Sequence, residues 1–458
     1  MRLALVLGPA LLAATLILPP PGDMPREAWV AAGLALLMAT WWVTEALPLA
    51  ATALLPLALA PLLGLAPIED VAPSYAHPLI LLFLGGFLVA RAIEGVGLHA
   101  RIAHGLLARA GTSPARVLAA LMVATGFLSL WISNTAATMV VAPIAAAVAA
   151  PANPRLAATL MLGVAYAATI GGMGSLIGTP PNAIFAAYVA DTQAITIGFA
   201  EWAMVGMPVS LLLMLAAWAV LARLTPGLGG ASHLPLPPYE ARPLRGAEAR
   251  VAIVAALTAL GWITRPWLAP LLPGLPLTDA GIALTGALAL FFLPDGKGSG
   301  GRLLDWDAAA RIRWDVLILF GGGLALARLI DTSGLAAQIG AASAGFAGLP
   351  LPLLLLTFAA LIVYLGELAS NTATAALFMP IAGAAAVSLG IDPVTFMLPV
   401  ALAASIGFML PVATPPNAIV FAHPEVTRAR MLRAGAVLNL IGLLVAVGIA
   451  ATLGPLLM

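Results

Sequence analysis

The chain has 458 residues, 62% of them hydrophobic and only 9% charged, with a mean hydropathy of +1.07 and a formal net charge of +1. A soluble domain carries about 25% charged residues, so a globular protein of this composition could not cover its surface in water. The near-zero net charge and the lack of a basic tail exclude an electrostatic nucleic-acid binder, and the absence of cysteine excludes disulfides, thiolate metal sites and a cysteine nucleophile.

Apolar runs of about 18 or more residues recur from end to end, each long enough to cross a bilayer as a helix. The fold class is therefore an all-α polytopic membrane protein. Arg2 and the apolar stretch to Leu18, closed by Pro19-Pro20-Pro21, read as the first crossing and not as a cleaved signal, because no small-x-small site follows and the next span begins at Trp29. Further crossings are expected near 28–46, 48–66, 77–95, 157–192 (interrupted), 202–222, 250–272, 278–294, 315–331, 394–422 (interrupted) and 432–456, about eleven in all. Two regions, 98–150 and 334–390, each hold two short apolar arms meeting at a polar tip and read as re-entrant hairpins.

With the N-terminus in the cytoplasm, Arg101 to Arg116, Arg155, Arg223 to Arg250, Lys297 to Arg313 and Arg428 to Arg433 fall on the inner side. The opposite loops carry mainly Arg26, Arg265 and the acids Glu69, Asp70, Asp191 and Glu201, the positive-inside bias of a multi-pass protein of the cytoplasmic membrane. Pro226 to Glu248 is the main internal linker. The loop from Asp295 to Asp315 contains Gly296-Lys297-Gly298-Ser299, which lacks the spacing of a phosphate-binding loop and reads as flexible chain.

The two halves repeat each other. Ser133-Asn134-Thr135-Ala136 recurs as Ser370-Asn371-Thr372-Ala373, and at the same offset Phe83, Gly85, Gly86, Arg91, Gly97 and Leu98 fall on Phe320, Gly322, Gly323, Arg328, Gly334 and Leu335. Thr179-Pro180-Pro181-Asn182 recurs as Thr414-Pro415-Pro416-Asn417 at nearly the same spacing. Two different motifs in the same order indicate duplication. In this topology one hairpin enters from each side, so the repeats are inverted, as in secondary transporters whose sites form at the midplane from discontinuous helices.

Ser, Asn and Thr are favoured helix caps and proline is favoured at the first helical position, so each motif reads as the start of a helix. Helix N-termini converging on one point favour an anion. The spans hold few cations, Arg91 and Arg328 lying near helix ends, so amides, hydroxyls and helix ends are expected to take the place of arginine at the anion site. Hydroxyl, amide and carbonyl oxygens just before the tips and breaks suit a hard cation such as Na⁺, which would supply compensating charge. Glu367, beside the second tip, is an intramembrane carboxylate with either a proton-linked or a structural role. Glu45, near Pro48 at a span end, reads as structural. His77, His99, His104, His233 and His423 lack metal-ligand spacing.

At these residues the chain resembles the divalent anion:sodium symporter family, the carriers of dicarboxylates and citrate. The two duplicated motifs carry the resemblance, supported by Thr169-Ile170-Gly171-Gly172-Met173-Gly174-Ser175-Leu176-Ile177-Gly178 and by Trp41-Trp42-Val43-Thr44-Glu45-Ala46-Leu47-Pro48. The resemblance implies a homodimeric elevator transporter with no cofactor and with Na⁺ as coupling ion. Its scaffold would be 1–97 and 250–333, its transport domain 98–225 and 334–458, with 226–249 a cytoplasmic linker. Asn134, Thr135, Thr179, Pro180, Asn371, Thr372, Thr414 and Pro415 would bind the substrate carboxylates. Ser129, Ser133, Asn134 and Gly178 would form one Na⁺ site, and Gly366, Ser370, Asn371 and Ala413 the other. Gly366 stands where the first half has Ser129 and the family often has threonine, so the second set lacks a hydroxyl ligand.

The reading is a Na⁺-coupled carrier of C4-dicarboxylates such as succinate, malate or fumarate. A Na⁺-independent exchanger and a citrate or sulfate carrier remain open alternatives. An intramembrane enzyme is disfavoured, since neither His-Glu-x-x-His nor Gly-x-Ser-x-Gly occurs. A channel fits re-entrant loops in inverted repeats less well than alternating access does.

Overall fold

The computed structural model describes residues 2–149, 154–225, 234, 236, 242–296, 300–346 and 348–457. Most of the linker expected at Pro226 to Glu248, His233 and the Lys297-Gly298-Ser299 stretch lie outside them. Every regular element among the described residues is a helix. Among the described residues, seven helices are long and apolar enough to cross a membrane: Arg26–Thr44, Ile68–Gly95, Pro154–Met173, Phe199–Leu224, Gly246–Leu271, Asn371–Ser388 and Arg428–Leu457. The pair Trp314–Thr332 and Leu335–Phe346 meets the same test but is bent by 80°.

That bend begins at Gly334, whose φ of 81° is open to glycine and costly for a residue with a Cβ. Gly97, its repeat counterpart, takes φ 73° and opens Leu98–Ala108 in the same way. The stretch expected to cross at 48–66 is two short helices, Leu49–Thr52 and Leu55–Leu62. Pro56 is well placed at the start of the second of these, while Pro61 removes a backbone donor near its end.

Each apolar region with a polar tip folds as a lead-in helix followed by a helical hairpin. In the first half Leu98–Ala108 precedes the arms Pro114–Ser129 and Asn134–Ala149; in the second, Leu335–Ser343 precedes Leu351–Gly366 and Asn371–Ser388. By length and apolarity alone Asn371–Ser388 would pass for a crossing. Both interrupted helices are broken within a few residues of the expected place: Pro154–Met173 resumes as Pro180–Gln193, and Pro393–Ala404 as Pro415–Phe421.

Pro154–Met173 is buried over 94% of its apolar window and so meets protein on every side. Its small residues allow this. A Cβ at Gly171 would lie 2.3 Å from the carbonyl oxygen of Gly126, so the helix backbones touch where larger residues would hold them apart. The second-half elements close around it: it packs against Pro415–Phe421, and Pro180–Gln193 packs against Asn371–Ser388 and Pro393–Ala404. Arg265 pairs with Glu201 at 2.9 Å and with Asp279 at 2.6 Å, and Asp279 accepts the Phe199 N–H at 2.8 Å. These contacts tie Phe199–Leu224, Gly246–Leu271 and Asp279–Phe292 together.

Candidate functional site

Both tips and both breaks reach one cavity of ≈ 350 Å³. Ser133, Asn134, Thr135, Ser370, Asn371 and Thr372 line it from the tips, and Gly178, Thr179, Pro180, Ala413, Thr414 and Pro415 from the breaks. Ser129 and Gly366 are buried beyond its wall. A larger cavity of ≈ 690 Å³, bounded by Tyr188, Asp191, Asp331 and Ser388, contains no motif residue. Convergence of four duplicated segments, and not size, marks the smaller one as the site.

The sequence builds this wall through helix starts. Asn134–Ala149 and Asn371–Ser388 begin at the tips, while Pro180–Gln193 and Pro415–Phe421 begin with proline just inside the start. Only half of the expected hydroxyl caps form. Ser133 Oγ accepts the Ala136 N–H at 3.2 Å and Thr414 Oγ1 accepts the Asn417 N–H at 3.3 Å. Ser370 and Thr179 sit at cap positions without a side-chain cap bond. At Thr179 the two following prolines bring no N–H, and the first available donor, Asn182 N–H, is taken by the Thr179 carbonyl at 3.3 Å.

Behind the first tip lies a cluster of oxygens. Ser129 Oγ is 2.6 Å from the Ala168 carbonyl oxygen and 2.6 Å from Asn134 Oδ1, more acceptors than one hydroxyl hydrogen can serve. Turned over, the Asn134 amide would donate to Ser129 Oγ at 2.6 Å and to the carbonyls of Ala168 and Gly178 at 3.2 Å each. With nitrogen inward, hydrogen bonds alone satisfy the cluster. With oxygen inward, four oxygens face one another and suit a hard cation. The structure thus brings together Ser129, Asn134 and Gly178, adds the Ala168 carbonyl, and uses the Ser133 hydroxyl as a cap. The crossing is tight, since a Cβ at Gly178 would lie 2.4 Å from the Gly172 carbonyl oxygen and one at Gly172 2.6 Å from Asn134 Oδ1.

The second half repeats this arrangement with an oxygen to spare. Asn371 Oδ1 is buried without a hydrogen-bond partner among the described residues. A Cβ on Gly407 would lie 3.2 Å from Ala413 Cβ and 3.9 Å from Asn371 Oδ1, and one on Gly366 would meet only that oxygen, at 3.8 Å. The Gly366 position is roomy where the first half has a hydroxyl.

Several supporting groups were not assigned from the sequence. Asn182 and Asn417, fully buried, satisfy carbonyls freed by the breaks: Asn182 Nδ2 donates to Ser175 O at 2.8 Å, and Asn417 Nδ2 to Gly407 O and Leu410 O at 3.0 Å each. Their place as the last residue of a duplicated motif was the available signal. Glu367 is only 3% exposed and accepts the N–H groups of Met409 and Leu410 at 2.9 Å each and Asn439 Nδ2 at 2.7 Å. Of its two readings, the contacts give the structural one: it clasps the second break.

Arginine is present at the cavity after all, contrary to the expectation that helix ends and amides replace it. Arg313 lines the cavity together with Glu45, Leu49, Phe83, Phe87 and Val316. Its Nε and Nη2 bind the Asp315 carboxylate at 2.8–3.3 Å. That pairing, resisted by partial burial, favours the charged guanidinium further. Arg313 precedes its helix and lies far from any motif in sequence, which is why motif reading passed it over. Chemically, the cavity offers hydroxyls, amides and one guanidinium to an anion, with an oxygen cluster for a cation behind it.

Comparison with known proteins agrees with this chemistry. The family described as the sodium:sulfate symporter transmembrane region matches residues 2–458. The chain is 37% identical to the sodium-dependent dicarboxylate transporter SdcS of Staphylococcus saprophyticus, over 98% of this chain and 91% of that one. It is 36% identical to SdcS of Staphylococcus aureus strain USA300, over 97% and 89%. Among solved structures, the fold is similar to the Alcanivorax borkumensis YdaH transporter, with a TM-score of 0.60 at 18% identity over 84% of this chain and 86% of that one. It is also similar to Neisseria gonorrhoeae MtrF, with a TM-score of 0.58 at 13% identity over 96% of each. A match along almost the whole length makes this chain a member of the sodium:sulfate symporter family of membrane transporters.

Proposed function

We propose that the protein carries C4-dicarboxylates such as succinate, malate or fumarate across the cytoplasmic membrane, coupled to Na⁺. The observation that carries this reading is the cavity of ≈ 350 Å³ lined by both Ser-Asn-Thr tips and both Thr-Pro-Pro breaks. Asn134, Thr135, Asn371 and Thr372, with Thr179, Pro180, Thr414 and Pro415, hold the carboxylates through neutral donors and helix starts. Na⁺ occupies the oxygen cluster of Ser129, Asn134, Ala168 and Gly178 and draws the Asn134 oxygen inward. The amide nitrogen is thereby turned toward the cavity, so cation binding helps to build the anion site, which is coupling. A second Na⁺ lies at Asn371, Ser370, Ala413 and Gly366. The relatives named sodium-dependent dicarboxylate transporters support the choice of substrate and ion over sulfate or citrate.

Transport proceeds by an elevator movement within a homodimer. The hairpins and broken helices of 98–225 and 334–458 pack on one another across the two halves, which supports their moving as one body. Segments 1–97 and 250–333 supply the facing wall through Glu45, Phe83, Phe87 and Arg313. The inverted repeat gives that body two similar arrangements, one open to each side, and the N-terminus is cytoplasmic. The test is uptake of labelled succinate into proteoliposomes under imposed Na⁺, H⁺ or counter-substrate gradients. Uptake driven by Na⁺ is expected. Uptake driven only by internal dicarboxylate would make the protein an exchanger, a reading that the missing hydroxyl at Gly366 favours, and no uptake under any gradient would overturn the reading.

A further inference from the structure

The proposed carboxylate-binding groups are all neutral, yet the lining of the same cavity also carries two charges. Among the described residues, Arg313 and Glu45 are the only formally charged ones lining the cavity. The Arg313 guanidinium has five N–H donors in a planar fork. Asp315 takes the Nε donor and one of the two on Nη2, while Nη1 has no acceptor among the described residues. One edge of the fork therefore remains for another carboxylate, and the side chain, 48% exposed, has room to present it.

Glu45 is also placed with care. It is one of two non-glycine residues with positive φ among the described residues (47°), closing helix Arg26–Thr44 with its N–H on the Trp41 carbonyl. A left-handed glutamate costs conformational energy, and such strain collects at functional positions. Its carboxylate brings a charge of the substrate's own sign to the same cavity.

We propose that Arg313 determines charge specificity: its Nη1 edge receives the second carboxylate of a dianion whose first carboxylate is held by the tips. Glu45 opposes it, so that only an anion that engages Arg313 overcomes the repulsion. The pair selects four-carbon dianions over monoanions of the same length. This inference rests on the dicarboxylate reading above. A charge-assisted contact of this kind separates succinate from its monoamide by about tenfold or more.

The test is equilibrium binding of succinate and of succinamate, its monoamide, to the purified full-length protein in NaCl, for the wild type, R313Q, R313K, E45Q and D315N. Arg313→Gln is expected to weaken succinate binding about tenfold while leaving succinamate nearly unchanged, and Arg313→Lys to keep much of the preference. Glu45→Gln, which removes the repulsion, and Asp315→Asn, which frees the guanidinium, are each expected to tighten succinate binding several-fold. Damage to the fold cannot produce that gain. A wild type that binds succinate, with R313Q keeping the wild-type preference for it over succinamate, would overturn this inference alone. A wild type that binds neither ligand would overturn the dicarboxylate reading and this one with it.

Discussion

Gly366→Ser rebuilds in the second half the serine and asparagine pair of the first. Gly366 ends helix Leu351–Gly366, and a Cβ there would touch only Asn371 Oδ1, at 3.8 Å. A hydroxyl one bond further out can come within about 2.6–3.0 Å of that oxygen, ordinary hydrogen-bond reach. The serine would give a buried, unpartnered oxygen a donor and add an oxygen beside the proposed second cation site. Of the two, only the added cation ligand is made solely with sodium bound; at ~1–1.4 kcal/mol it converts to an affinity gain of about fivefold to tenfold. Replacing glycine in a helix adds ~0.5 kcal/mol of stability, but equally with and without sodium. The control is therefore Gly366→Ala, which gains the helix term and no hydroxyl. The assay is the Na⁺ concentration giving half-maximal succinate uptake in proteoliposomes. It should fall about fivefold to tenfold in the serine variant and stay at the wild-type value in the alanine variant. Equal values in all three would mean that no cation binds beside Asn371.

Ser129→Ala removes the hydroxyl that lies 2.6 Å from both Asn134 and Ala168 and should raise the half-maximal Na⁺ about tenfold or more, while leaving the succinate KM at saturating Na⁺ near wild type. Asn134→Ala and Asn371→Ala should each abolish succinate binding in folded protein, as read by calorimetry; unchanged affinity in both would remove the tips from the site. Glu367→Gln keeps the shape but offers one good acceptor where Met409 and Leu410 need two. It should cost ~1–3 kcal/mol and lower the thermal midpoint in detergent, and an unchanged midpoint would refute the clasp. Gly178→Ala must push a Cβ against the Gly172 carbonyl oxygen from 2.4 Å, an overpacking of ~1–3 kcal/mol that should appear as weakened Na⁺ activation.

Local chemistry made much of this legible in the sequence. Two apolar arms around Ser-Asn-Thr can only meet at a turn, and Thr-Pro-Pro both ends one helix and starts another, so hairpins and breaks could be placed without coordinates. Their duplication told which polar residues belong together. Contacts between distant segments were hidden. Glu367 is held by amides at 409 and 410 and by Asn439, partners that no periodicity connects to it. Arg313 and Asp315 look like an ordinary pair at a helix start, and Arg313 gains meaning only from sharing a cavity with Glu45 and the tips. The lead-in helices Leu98–Ala108 and Leu335–Ser343 merge with the hairpins in the sequence, because each is too short to cross a bilayer and stands only a few residues before the first arm.

The central claim is that two duplicated halves build one carboxylate site whose first asparagine is turned into position by a cation. Calorimetric titration of succinate into the purified protein, in NaCl and in choline chloride at equal ionic strength, tests it most directly. The account predicts saturable binding in NaCl, at least tenfold weaker in choline. Equally tight binding in both salts would contradict it.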